Sequence, residues 1–199
     1  MASQPNRYYT PEEYLTLERA ADYKSEYVAG EILAMAGASE DHNTIAGNIF
    51  RLLGNQCQDG PCRIFMSDMR VRVAATGMYT YPDVVAVCGP REFADAHRDT
   101  LLNPTVIIEV LSPSTEAYDR GAKAAYYRRL PALAEYVLVA QDQMHVEHFA
   151  RQGAGWLLIE MSAPNAILRL PALDAALPLT AIYANVEFPP PNEVLSAER

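Results

Sequence analysis

The stretch PTVIIEVL, residues 104–111, is apolar from Val106 onward except at Glu109, and YPDVVAVC, residues 81–88, has the same character around Asp83. Nearly continuous apolar runs are typical of strands buried on both faces of a sheet. We therefore predict that these stretches form the central strands. Each carries one carboxylate, and an ionised carboxylate in apolar surroundings is costly unless it is paired or binds a metal.

The sequence before these strands predicts two helices and a hairpin. Thr10 can cap a helix that has Pro11 at its first position and runs to about Glu18 or Arg19. Residues 27–37 predict two short strands that turn at Ala29 and Gly30. Ser39 can cap a second helix, whose apolar residues recur at helical spacing and share one side with His42.

Further strands and one more helix complete the pattern. Residues 63–74, RIFMSDMRVRVA, predict a half-buried strand with Arg70 and Arg72 on its solvent face. Residues 114–130 predict a helix that Ser114 or Asp119 caps and Pro131 ends. The remaining sequence predicts two strands around a turn at residues 141–143, another strand, and a short strand with a final helical turn. This order predicts an α/β fold in which a mixed central β-sheet is flanked by helices.

Length and composition favour one domain. A chain of 199 residues that is 50% hydrophobic can bury one ordinary core. We expect a single domain over residues 1–187 and a Pro-rich tail over residues 188–199. The sequence has no apolar run of about 18 residues and its N-terminus does not resemble a signal peptide, so we expect a cytoplasmic protein without a membrane partner.

The net charge and the cysteines exclude some classes of site. The net charge of −9 opposes avid, non-specific binding to nucleic acid, although a site that collects carboxylates for a metal is itself acidic. Cys57, Cys62 and Cys88 lack the spacing of a zinc site, and we expect buried, reduced thiols.

Lys123 is the nearest candidate cation for Glu109. Leu111 lies on the same strand face as Glu109, so no lysine follows it there, but the next helix carries Asp119 and Lys123 on one side. The alternative is an exposed Asp119–Lys123 ion pair, worth roughly 0.3 to 0.5 kcal/mol.

Taken in order, YPDVVAVC, VIIEVLSPST, DRGAKAAYYRRLP, EYVLV and the earlier GEI hairpin resemble the Uma family of restriction endonuclease-like proteins, within the PD-(D/E)XK nuclease superfamily. The resemblance covers about residues 10–183 and implies the restriction endonuclease-like fold. It also implies that Asp83, Glu109 and the Val110 carbonyl bind Mg²⁺ or Mn²⁺, both of which prefer oxygen ligands. Lys123 matches a catalytic lysine that has moved from the strand to the helix.

The resemblance further implies roles for Glu31, as a metal or water ligand, and His42, in proton transfer or phosphate contact. The alternatives are a solvated hairpin residue and a locally satisfied histidine. We therefore expect a metal-dependent endonuclease that acts on DNA, as a homodimer. The competing hypothesis is a non-catalytic nucleic-acid-binding or assembly module that retains the nuclease fold.

Overall fold

The computed structural model describes residues 7–35 and 37–188. Nearly all of the predicted tail at 188–199 lies outside the described residues. Helical segments of the described residues are α1 (Pro11–Ala20), α2 (Glu40–Gln56), α3 (Glu116–Tyr118), α4 (Ala124–Tyr127) and α5 (Leu179–Ile182), with a π-helical turn at Asp119–Lys123 and a 3₁₀ turn at Pro171–Leu173.

Thirteen strands of the described residues form three sheets. They are β1 (Ser25–Val28), β2 (Glu31–Ala34), β3 (Cys62–Met66), β4 (Arg70–Val73), β5 (Met78–Thr80), β6 (Val84–Cys88), β7 (Thr100–Leu101), β8 (Val106–Leu111), β9 (Glu135–Ala140), β10 (Val146–Gln152), β11 (Gly155–Met161), β12 (Ile167–Leu170) and β13 (Ala175–Pro178). The orders are β11-β10-β9-β8-β6-β3, β2-β1-β5-β4-β7 and β12-β13.

The six-stranded sheet is mixed, as the sequence predicts. Its β8–β9 pair is parallel and its other neighbours are antiparallel. The predicted central strands, β6 and β8, are adjacent and fully covered apart from Cys88. Helix α2 packs with the β12–β13 hairpin on one face, and α4 packs with β4 and β5 of the second sheet on the other.

The N-terminal region is held by buried polar contacts. Thr10 and Glu13 form a capping box on α1, which confirms the predicted start of the helix. Near its other end, the buried Glu18 carboxylate accepts hydrogen bonds from the Ser25 N–H at 3.1 Å and the Tyr81 hydroxyl at 2.8 Å. Arg70 Nε donates to the Tyr81 hydroxyl at 2.9 Å. We call Glu18, Ser25, Arg70 and Tyr81 the Glu18 network.

The prediction of one strand over residues 63–74 is wrong. The segment turns after β3 and enters a different sheet as β4. Arg70 is only 4% exposed rather than on a solvent face, because its guanidinium is satisfied by Tyr81 and Thr100. Alternation reports which side chains share a face, but it cannot show that a chain changes sheets between Met66 and Arg70.

The prediction of three reduced thiols is also wrong. Cys62 and Cys88 form a disulfide because antiparallel pairing of β3 and β6 sets them directly opposite one another. Cys57 is a free, buried thiol. Within the described ranges, no helix is long and apolar enough to cross a membrane.

Candidate active site

Asp83 and Glu109 meet where the β6–β8 ladder ends. The last paired residues are Val84 and Ile108, so the two acids occupy the next rung. Asp83 Oδ2 accepts from the Val110 N–H at 2.8 Å, and the Asp83 N–H lies 3.4 Å from Glu109 Oε2. Side chains thus replace backbone partners at this rung. The structure brings together the two carboxylates that the sequence singles out.

Lys123 reaches Glu109 from the helical segment packed over this face. Its Nζ lies 3.0 Å from Glu109 Oε1, 3.1 Å from Glu26 Oε1 and 3.4 Å from Asp119 Oδ1. Lys123 and Asp119 are 6% and 3% exposed, so the alternative of an exposed helical ion pair is wrong. Both residues belong to the π-helical turn, a widened turn that is frequent at functional sites. We call Glu26, Glu109, Asp119 and Lys123 the Lys123 cluster.

Glu26 is the member of this cluster that the sequence analysis missed. It lies on β1, opposite Leu33, and it accepts a short hydrogen bond from Thr80. The predicted hairpin begins at Tyr27, and the sequence signal for Glu26 is a third carboxylate directly before the apolar residues of this strand. Tyr127, on α4, donates from its hydroxyl to Glu109 Oε1 at 2.7 Å and is fully buried.

His42 approaches Asp83 from the first turn of α2. Ser39 caps this helix and accepts from the His42 N–H at 3.2 Å, as predicted for the cap. The imidazole Nε2 lies 3.2 Å from Asp83 Oδ2, and its Nδ1 is buried without a hydrogen-bond partner among the described residues. Burial alone would lower the pKa of His42, but its hydrogen bond to Asp83 and the charge of that carboxylate outweigh burial and raise it.

Glu31 starts β2 opposite Val28, at the turn of the hairpin. Its role as a metal or water ligand stays a prediction. Glu26, on the preceding strand, lines the cavity. Val110 does line the cavity, and hydrogen bonding to its backbone contributes to the raised pKa of His42.

A cavity of about 940 Å³ opens over the two carboxylates. The described residues that line it include His42, Lys123 and one further cation, Lys24. The acids that line it are Glu26, Asp83, Glu109 and Asp119. Hydroxyl and amide side chains also line the cavity: Ser39, Asn43, Ser67, Ser112, Ser114, Thr115 and Gln141. The lining of the cavity therefore carries more carboxylates than lysines.

Burial and charge determine the protonation of the central pair. Burial raises the pKa of Glu109 to about 8, against the opposing effect of the Lys123 charge. Burial by itself would lower the pKa of Lys123, but the Glu109 charge, followed by those of Tyr127, Glu26 and Asp119, raises it well above its ordinary value. Lys123 is thus a fixed cation at neutral pH and not a general base.

The donor set fits a hard, oxygen-binding cation. Asp83 and Glu109 supply two carboxylates at the cavity, and Mg²⁺ commonly uses one or two carboxylates and keeps several waters. No three His, Cys, Asp or Glu side chains within residues 7–35 and 37–188 form a ready-made metal cage. The arrangement therefore fits Mg²⁺ or Mn²⁺ better than zinc, which prefers a closed set of nitrogen and sulfur ligands.

Comparisons with known proteins identify the family of this chain. Residues 11–181 match the Uma2 family, described as "putative restriction endonuclease". The chain is 41% identical to uncharacterized protein sll1609 of Synechocystis sp. over 79% of this chain and 89% of that protein, and 36% identical to slr1290 of the same organism over 90% and 93%.

The fold also resembles the crystal structure of a putative nuclease belonging to DUF820 from Anabaena variabilis. The TM-score is 0.73 at 20% identity, and the match covers 88% of this chain and 97% of that chain. The predicted restriction endonuclease-like fold is therefore confirmed. With a family match over most of its length, the chain belongs to the Uma2 family, whose description supports a nuclease-type function.

Proposed function

We propose that the protein is a divalent-metal-dependent endonuclease that hydrolyses phosphodiester bonds in DNA at the Asp83–Glu109 site. The observation that carries the proposal is the placement of two strand-borne carboxylates and a buried, charged lysine at the floor of one open cavity. The four acids that line this cavity outnumber its two lysines, Lys24 and Lys123, which leaves an excess of acidic groups. A bound cation would compensate it.

Asp83, Glu109 and the Val110 carbonyl would hold the ion. When bound, Mg²⁺ or Mn²⁺ supplies a Lewis acid that lowers the pKa of water and neutralises charge on the scissile phosphate. The short contacts from the Val110 N–H to Asp83 and from Tyr127 to Glu109 fix the two carboxylates in place. This preorganisation means that the protein need not rearrange them when substrate arrives.

Lys123 would stabilise the negative charge that develops on the phosphate. Its neighbours keep it protonated, and they hold its ammonium group within 3.0 Å of Glu109. His42 would assist proton transfer, since it lies on the cavity wall and Asp83 orients its ring. DNA is the substrate that the family description favours.

The competing function is a non-catalytic module that keeps the acidic cluster for structure. One observation favours it: Lys123 already contacts three carboxylates, so its charge is partly neutralised before any phosphate arrives. The open cavity weighs against it, because a purely structural ion cluster gains nothing from a connection to solvent.

Cleavage assays on the full chain test the proposal. Supercoiled, linear duplex, single-stranded and branched DNA, and RNA, are incubated with Mg²⁺ or Mn²⁺ and with a chelator. We expect metal-dependent cleavage of DNA that Asp83→Asn abolishes. The matched control is Asp59→Asn, in the exposed turn after α2, which should retain full activity.

Cleavage of equal rate in Asp83→Asn, or cleavage that survives the chelator, would show a contaminant and overturn the proposal. DNA binding without cleavage at any metal concentration would favour the non-catalytic module. Cleavage of RNA alone would retain the site but reject DNA as the substrate.

A further inference from the structure

The two edges of the six-stranded sheet differ in their protection. At one edge, β3 has five residues and carries the exposed Arg63. At the other edge, β11 has seven residues with the sequence GWLLIEM, and it contains no lysine, arginine or proline. Proteins commonly protect sheet edges with such residues because an unpaired strand is a template for pairing with another chain.

Strand β11 is also apolar on both of its faces. Leu157 and Ile159 lie on one face and Leu158 on the other, and they are 42%, 42% and 44% exposed. Strand β10 covers only one edge of β11. A helix could cover one face of this strand, but a further strand would extend the sheet and cover side chains on both faces at once.

We propose that β11 pairs antiparallel with β11 of a second copy of this chain, about a two-fold axis at Leu158, and joins two six-stranded sheets into one. This symmetry sets Leu158 opposite its own copy and Leu157 opposite Ile159, so apolar side chains meet at the centre on both faces. A two-fold interface requires such self-complementarity, and the alternation of this strand provides it.

The charges fit the same register. Glu160 is the charged residue of β11, and the axis sets it opposite Trp156 of the second copy. Arg151 lies over Trp156 within each chain, with its guanidinium carbon 4.5 Å from the ring centroid. Glu160 of one copy therefore lies on the same sheet face as Arg151 of the other copy. The two Glu160 residues lie four residue steps apart, roughly 13 Å along the strand, which exceeds the Debye length of about 8 Å.

The oligomeric state of the full chain tests this interface independently of any nuclease activity. Analytical ultracentrifugation across the micromolar range should give twice the 22.0 kDa chain mass for the unaltered protein. Leu158→Lys should reduce the mass to that of one chain, because two ammonium groups would face each other at the axis. Since Leu158 is 44% exposed, the substitution should leave each chain folded, and the variant should show a cooperative thermal unfolding transition as a monomer.

The matched control is Ile167→Lys, which alters an equally exposed apolar residue on β12 and should remain dimeric. Leu158→Cys should form a cross-linked dimer on mild oxidation, since facing strand residues lie within the range of a disulfide. A monomer at every concentration, a Leu158→Lys variant that stays dimeric, or dissociation by Ile167→Lys would each overturn the proposal. A monomer that pairs only with added peptide would assign the edge to a different partner and would overturn it as well.

Discussion

The Glu18 network and the Lys123 cluster are two buried groups of charged residues that differ in balance and in access to solvent. In the Glu18 network one carboxylate and one guanidinium share Tyr81, and Glu18 also receives the Ser25 N–H and hydroxyl. In the Lys123 cluster three carboxylates surround one ammonium group, and Asp83 adds a fourth acid nearby. Of the Glu18 network only Tyr81 lines the cavity, whereas every member of the Lys123 cluster does.

This difference separates stabilising from reactive burial of charge. A balanced, fully hydrogen-bonded network repays the desolvation of its members and fixes α1 against the sheets. An excess of acidic groups beside a cavity leaves electrostatic repulsion and desolvation that a bound cation can offset. Residues of the Lys123 cluster should therefore affect catalysis more than stability, and residues of the Glu18 network should do the reverse.

The largest effect is expected for Lys123→Met. Loss of a charge that stabilises a transition state typically lowers the rate constant by about 10²- to 10³-fold. We expect a reduction of this order in kcat for DNA cleavage, measured under saturating Mg²⁺. Because the substitution leaves three acids without their cation, circular dichroism must first show that the variant is folded.

Lys123→Arg is the companion variant. It keeps the charge in a larger, planar group and should retain stability while recovering only part of the rate. A folded Lys123→Met protein that cleaves at the original rate would remove the lysine from the catalytic site.

Glu18→Ala should produce the largest loss of stability. It leaves the Ser25 N–H and the Tyr81 hydroxyl without their acceptor, and buried unsatisfied groups cost about 1–3 kcal/mol. Urea unfolding should therefore show a decrease of about 3 kcal/mol, while kcat of the folded protein stays unchanged. Glu12→Ala, at an exposed position of the same helix, should lose less than about 1 kcal/mol. Equal losses of unfolding free energy in both variants would show that the Glu18 network does not stabilise the fold.

Glu109→Gln should change the pH dependence of stability. The folded chain holds the Glu109 proton up to about pH 8, whereas an unfolded glutamate releases it near 4.5. A raised pKa of this kind contributes stability that is complete below about 4.5 and is lost as the pH rises through about 8. The metal-free protein should therefore become less stable across this window.

Urea unfolding from pH 5 to pH 9 with a chelator measures this slope. Glu109→Gln keeps the acceptor for Tyr127 and cannot ionise, so its stability should vary less over the same range. Parallel curves for the two proteins would mean that Glu109 is ionised throughout.

The sequence predicted the central strands and the paired acids because these features are local. Glu109 and Asp83 are the charged residues in two apolar runs. Their carboxylates meet because the two strands are antiparallel neighbours in one sheet. The burial of Arg70 and the disulfide of Cys62 were not predicted because they depend on partners distant in sequence. These partners are Thr100 for Arg70 and Cys88 for Cys62. No spacing rule reveals them.

The contacts of Lys123 with the acidic residues were predictable only in part. Its helix face followed from the spacing to Asp119, but the π-helical turn and the arrival of Glu26 from another sheet are tertiary features. Family resemblance supplied what spacing could not. It also suggested Glu31, whose role as a ligand stays a prediction.

The smallest effect is expected at Asp99, where the Glu18 network reaches the surface. Arg19 donates to this carboxylate at 2.8 Å and Arg70 lies 3.9 Å away. The hydrogen bond from Arg19 lowers the pKa of Asp99 to about 2, although burial opposes it. A lowered pKa contributes stability above the ordinary value near 3.8 that is lost as the pH falls through about 2.

Asp99→Asn should therefore reduce the free energy of unfolding at pH 7 by about 0.5 to 1 kcal/mol, as expected for a partly exposed pair. The difference between the two proteins should vanish near pH 2, and cleavage should be unaffected at either end of the range where the protein is folded. Asp68→Asn removes the more exposed pair with Lys24 and should change stability less. If Asp99→Asn instead altered kcat, the Glu18 network and the Lys123 cluster would be coupled, and the division between structural and reactive charge would fail.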